Sequence, residues 1–249
     1  MNTEIKNAIQ AADSEAQYDE SAKRLLAQKY VLAHILVRTV EEFQGMEIEK
    51  VVSLIEGDPY ISKVPVASGL TNKDRNVEGK RIVGLNTEAG EKNEGLVRFD
   101  IIFYVRMRNG LAQMIINVEA QKDEPGSYQI LNRAIFYVSR LISSQRERDF
   151  VKSNYNDIKT VYSIWVCMNM PENSMCHIYL TKEDLLGKHN WKGNLNLVNI
   201  VMIGLTNALP ESHNEYVLHR LLCAMFSNEL SQQQLSLIHI SEPTRRRGI

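Results

Sequence analysis

The sequence predicts an α/β fold, a sheet flanked by helices, and three stretches carry that prediction. Val97 to Gln121 (VRFDIIFYVRMRNGLAQMIINVEAQ) alternates apolar and polar residues on both sides of Asn109-Gly110. That dipeptide is the strongest short signal for a two-residue type I′ hairpin turn. A helical pattern follows from Tyr128 to Glu147, and then a β-rich run from Thr160 to Met168 (TVYSIWVCM). Strand, helix and strand in that order form the unit from which mixed sheets are built.

The elements follow in chain order. Residues 1–17 are polar with scattered alanines, a short helix or a frayed end. Asp19 or Ser21 suits the cap of a helix reaching about Phe43, in which Leu25, Leu32, Leu36 and Val40, joined by Leu26, Val31 and Ile35, make a broad apolar stripe. Ile48 to Ile55 reads as a short helix, and Gly57-Asp58-Pro59 as a turn. The polar run from Tyr60 to Glu94 holds one candidate strand, Arg81 to Asn86, expected to be the first of the core.

With Asn109-Gly110 as the turn, Arg108 faces Leu111 and Asp100 faces Glu119. Side chains of a strand alternate between faces. One face is then wholly apolar, from Val97, Phe99, Ile101, Phe103 and Val105 across to Ala112, Met114, Ile116, Val118 and Ala120. Asp100, Glu119 and Gln121 share the other. In the next helix Leu131, Ile135, Val138 and Ile142 recur at helical spacing, flanked by Ile130, Ala134 and Leu141, and are expected to lie on the apolar face of the sheet. Ser143 to Tyr155 is a polar loop placed at the substrate edge, where Arg148 and Lys152 face either phosphate or water. Met175 to Leu180 returns as a short strand after Pro171-Glu172-Asn173. Glu215 to Leu230 reads as a closing helix with Leu218, Leu222, Met225 and Phe226 on its apolar side.

Composition narrows the class. The chain has 249 residues, 24% charged and 44% hydrophobic, with a formal net charge of −1. That is ordinary globular composition for one or two domains. The overall charge gives no support for nucleic-acid binding, although only a local cleft needs to neutralise phosphates. Cys167, Cys176 and Cys223 form neither a metal-ligand spacing nor an even disulfide framework, which favours a reducing compartment. The N-terminus lacks the pattern of a signal peptide, and Leu195 to Leu209 is too short and Asn-rich to span a membrane. The expected location is cytoplasmic.

Two like charges roughly 4.5–5.5 Å apart across a sheet repel, so the Asp100–Glu119 pair needs an explanation. Open solvent, a shared proton or a bridging divalent cation would each relieve it. A hard cation such as Mg²⁺ takes carboxylate oxygens and retains water, and can activate that water for hydrolysis.

At these residues the chain resembles the PD-(D/E)XK nuclease superfamily, and more closely its recombination-promoting nuclease or transposase branch. The likeness rests on Asp100, on Glu119-Ala120-Gln121 at the strand end NVEAQ, on the helix NRAIFYVSRLISSQ and on DIKTVYSIWVC, over roughly Tyr18 to Tyr179. It implies a restriction-endonuclease-like αβββαβ core with a central mixed sheet. It also implies a Mg²⁺ (or Mn²⁺) site at Asp100, Glu119 and the Ala120 carbonyl, with Gln121 orienting the attacking water where the family more often has lysine. Arg133 and Arg140, seven residues apart and so on nearly the same side of the helix, are expected either to contact a DNA phosphate or to neutralise the acidic pair, against a plain reading as solvent-facing helix charges. Glu41, Glu42 and Glu88 are further acids that either reach a metal or stay solvated.

The resulting expectation is a metal-dependent DNA endonuclease of recombination or mobile elements, acting on double-stranded DNA, with homodimerisation open. Its alternative is a DNA-binding member of the same fold that cleaves weakly or not at all, in a toxin or defence setting. Residues 18–182 form the expected nuclease-like domain, and 183–234 a mainly helical extension, truncated. Residues 235–249 resemble translated sequencing-adapter read-through, so Arg245, Arg246 and Arg247 are assigned no role.

Overall fold

The computed structural model describes residues 22–61, 88–90, 96–98, 100–107, 113–122, 125–146, 148–211 and 214–226. Its frame is a six-stranded mixed sheet with helices on both faces. A helical segment at 22–26 leads into α1 (Lys29–Thr39) and α2 (Ile48–Leu54). Strand β1 (Ile55–Ile61) follows, then β2 (Glu88–Gly90) and β3 (Leu96–Arg98), which pair with each other. Next come β4 (Ile101–Arg106), β5 (Gln113–Gln121), α3 (Ile130–Ser143), β6 (Val161–Cys167), β7 (Ser174–Tyr179), β8 (Val198–Gly204) and α4 (Val217–Phe226). The main sheet runs β1-β4-β5-β6-β8-β7.

The β4–β5 register is the one the hairpin predicts: Ile101 pairs with Val118, and Arg106 with Gln113. The turn Asn109-Gly110, the strand Arg81 to Asn86 and the tail lie outside the described residues. Gly57-Asp58-Pro59, read as a turn, belongs instead to β1. The strand sits at a sheet edge and its register shifts between Glu56 and Tyr60. Edges and bulges are the places where a proline costs a strand no ladder bond. Residues 183–234, read as a mainly helical extension, supply β8 to the sheet between β6 and β7. The long first helix is interrupted at Ala27-Gln28.

Two apolar layers enclose the sheet. On one face Ile101, Phe103, Val105, Ile116 and Val118 meet Leu26, Leu32, Ile35, Leu36 and Phe43, and α4 adds Leu218, Leu222 and Phe226. Each such side chain contributes about 1.5–3 kcal/mol on full burial. The second face carries Ile102, Tyr104, Trp165 and Ile200 beneath α3. The sequence reading put α3 on the wholly apolar face, with Leu131 and Ile135 inside. It packs on the opposite face, through Ala134, Tyr137, Val138 and Leu141, while Leu131 and Ile135 are 39% and 47% exposed. Both sets have helical spacing, and the set meeting Trp165 is the one buried.

Strands β5, β6 and β8 are parallel, so their ends line up in rows. Gln121, Cys167 and Gly204 form the row of carboxyl ends, and Ile115, Val161 and Val198 the row of starts. Six residues at about 3.3 Å each separate the rows by roughly 20 Å. The loop from Ser143 to Tyr155 and its continuation to Lys159 lead into the start of β6, so they lie at the far end of the sheet from Glu119 and Gln121, not at a shared substrate edge. Arg148 faces neither water nor phosphate. Its Nε bonds Asp149 Oδ2 at 2.7 Å, with both side chains almost wholly buried. Lys159 Nζ and the Tyr104 hydroxyl donate to Asp149 Oδ1 at 2.8 Å each, and the Gln145 amide bonds both the Lys159 N–H and its carbonyl.

Burial pushes the Asp149 carboxyl up, but Arg148 and Lys159 outweigh it and hold the group below the usual carboxylate range. Its contribution to stability is therefore complete above the ordinary aspartate pKa and disappears as the pH falls through the lowered folded value. Asp149→Asn should cost about 1.5–3 kcal/mol at neutral pH. The same variant should flatten the acid limb of the stability–pH curve, measured by denaturant unfolding.

Candidate functional site

The candidate site sits at the carboxyl end of β5. The hairpin register brings Asp100 beside Glu119, and the two strands exchange bonds there. The Asp100 N–H donates to Glu119 Oε1 at 3.1 Å, and the Ala120 N–H donates to Asp100 Oδ2 at 2.9 Å. Each carboxylate thus accepts an amide where the β4–β5 ladder stops. Lys23, from the helical segment at 22–26, places Nζ 2.9 Å from Asp100 Oδ1.

Glu119 is 1% exposed. A buried carboxylate costs several kcal/mol unless a cation and hydrogen bonds compensate it. Arg133, on the first turn of α3, is a cation whose field reaches it. The Arg133 guanidinium donates to Gln121 Oε1 at 3.3 Å, to the Tyr128 hydroxyl at 2.9 Å and to the Tyr137 hydroxyl at 2.9 Å. Its Cζ lies 4.9 Å from the Tyr137 ring centre and 5.3 Å from that of Trp165, within reach of a cation–π attraction. Burial alone would disfavour the Arg133 cation, yet the Tyr137 bond and the Glu119 charge raise its pKa. Burial, set against Arg133 and helped by Glu119 and Asp100, raises Tyr137, so its phenol stays protonated.

This arrangement overturns the metal-dependent reading. Among the described residues no group of three or more His, Cys, Asp or Glu side chains is placed to hold a metal ion. The two carboxylates are already bound to backbone amides and balanced by Lys23 and Arg133. The expected Mg²⁺ or Mn²⁺ site at Asp100, Glu119 and Ala120 is therefore corrected to a charge-balanced structural clasp. With it go the readings as a metal-dependent deoxyribonuclease and as a catalytic endonuclease of recombination or transposition. Gln121, expected to orient a water, accepts a bond from Arg133 instead.

The other predicted residues divide. Arg133 joins the site. Arg140, its expected partner in phosphate binding, is buried at 6% exposure, two turns further along α3. Glu41 and Glu42 lie near Tyr162, whose pKa is raised by burial and by their charges. Tyr162 is the second residue of β6, toward the far end of the sheet, so neither glutamate approaches Asp100. Glu88 lies in β2. His177 bonds Asn199 Oδ1 at 2.9 Å and stacks on Tyr162, a structural role. Sequence reasoning missed Lys23 and Tyr128, which no motif marks. Trp165 is wholly buried, and its ring supports Arg133.

Removing the Asp100 carboxylate should strand the Ala120 N–H and break the ion pair to Lys23, so Asp100→Ala should lower stability by about 1–3 kcal/mol. The wild-type unfolding midpoint should be the same in chelator and in excess Mg²⁺ or Mn²⁺. A ligand that binds only the folded state raises that midpoint, so an upward shift would restore the metal site.

Comparison with known proteins adds no further identity: no family model, no curated protein and no solved structure matches the chain.

Proposed function

We propose that the chain is a DNA-binding α/β module that holds duplex DNA without metal-dependent cleavage, a restriction-endonuclease-like fold whose acidic pair has become a structural clasp. The observation that carries this reading is the posture of Arg133. Its guanidinium is half-buried at the carboxyl edge of the parallel strands, lies over Tyr137 and Trp165, and is fixed by Gln121 and Tyr128. A planar, oriented guanidinium suits a phosphate diester. Ligands of open α/β sheets meet the carboxyl ends of the strands. Lys122, exposed at the end of β5, adds a second cation on the same edge. The carboxylates alongside do not repel a phosphate as a free pair would, because Lys23 and Arg133 offset them. The resemblance to PD-(D/E)XK proteins supplies duplex DNA as the substrate class.

Fluorescence anisotropy with a short duplex over a salt series tests it. Lys122→Gln should weaken binding and reduce the log–log salt slope by about 1. Arg133→Lys keeps a cation beside Glu119 but loses the planar fork, and should weaken binding about tenfold with the far-ultraviolet spectrum unchanged. In Mg²⁺ or Mn²⁺ the duplex should remain intact. Binding that is absent at low salt, or indifferent to both substitutions, would remove the proposal.

A further inference from the structure

The two edges of the sheet are built on opposite rules. Strand β1 (IEGDPYI) carries Glu56, Asp58 and Pro59, and its register shifts between Glu56 and Tyr60. Glu56 is further tied to Arg106 at 2.6 Å. Charge, proline and bulge are the devices by which an edge strand avoids pairing with another chain.

Strand β7 (SMCHIY) has none of them. It contains no Asp, Glu, Lys, Arg or Pro, and its six residues pair one-to-one with β8 without a bulge. Five of the six are exposed, including Met175 at 45% and Tyr179 at 58%. Among the described residues β8 is its one strand partner, and the Ser174 carbonyl accepts from His219. Half the amides and carbonyls of such a strand point away from the sheet.

We infer that β7 pairs antiparallel with β7 of a second copy of this chain, about a two-fold axis through His177. Self-pairing places each residue against its mirror position in the strand, which like charges would oppose. This strand offers no such charge. In this register Met175 lies across from Tyr179 of the partner subunit, and Tyr179 across from Met175 of the partner subunit. A thioether beside an aromatic ring is a favourable pair. Cys176 and Ile178 oppose each other's copies on the other face in the same way. His177 meets its own image, held in place by Asn199 and by Tyr162 and Tyr179. The complementarity of the strand to its own reverse favours a second copy over a foreign peptide. The result is one sheet continuous across the axis, and the inference stands independently of DNA binding.

Sedimentation velocity on the full chain tests it, with circular dichroism as the control for folding. The wild type should form a concentration-dependent dimer. Met175→Lys with Tyr179→Lys puts lysine across from lysine twice and should weaken association by about tenfold or more. Met175→Lys with Tyr179→Glu alters the same two exposed positions but puts lysine across from glutamate, and should restore the dimer. A wild type that stays monomeric throughout the series would overturn the inference. So would two double variants that behave alike.

Discussion

Two backbone amides determine what the acidic pair can do. The Asp100 and Ala120 N–H groups each take one oxygen of the opposing carboxylate, and Lys23 takes the other side of Asp100. Carboxylates held by amide donors and cations are stabilised in their charged form without any metal, since each donor lowers the charge left to attract another. The clasp also ends the β4–β5 ladder cleanly, at the point where the chain leaves the sheet. Glu119 is nearly sealed from solvent, so the charge of Arg133 is part of what lets the fold keep it there. Position, charge balance and the stacking of Arg133 on Trp165 all descend from that exchange across the two strands.

The parts of this structure that could be read from the sequence are those set by short-range rules. Asn109-Gly110 and strict alternation gave the pairing of Ile101 with Val118, and hence the meeting of Asp100 with Glu119. The β-rich run to Met168 and the closing helix were legible for the same reason. What escaped depends on tertiary choice. Helix α3 has a broad apolar stripe, and only the presence of Trp165 and Tyr104 on the facing sheet decides which sheet face it meets and that Tyr137 goes inside with Ala134, Val138 and Leu141 while Leu131 and Ile135 stay exposed. Lys23 is far from Asp100 in sequence, and nothing in its own neighbourhood marks it. Arg148 looks like a loop cation until its buried pairing with Asp149, whose carboxylate Lys159 and Tyr104 also bond, is seen. The entry of β8 between β6 and β7 is equally invisible, because a strand's neighbours are not written in its composition.

The site and the second ionic cluster occupy opposite ends of the sheet, and this separation has a physical logic. At the carboxyl ends Glu119 is sealed in, while Asp100, Lys23 and the Arg133 guanidinium remain partly open. At the other end Asp149 is closed in by two cations and a phenol, and the Gln145 amide replaces a missing stretch of backbone pairing by bonding both polar groups of Lys159. Buried ionic clusters of that kind fix geometry more than they add stability. Here the cluster ties down the connection between α3 and β6.

The parallel trio β5, β6 and β8 has a kinetic consequence. No tight turn can join parallel neighbours, so each pairing must close a long loop before any ladder bond rewards it. Among the described residues the β4–β5 hairpin is the one local pairing at the middle of the sheet, and short loops close at the least entropic cost. The remainder has high contact order, and refolding of such topologies is slow relative to their stability. A chain of this kind passes its most vulnerable interval with the hairpin formed and β6 still unpaired, exposing the apolar run Val161–Cys167 to whatever else is in solution.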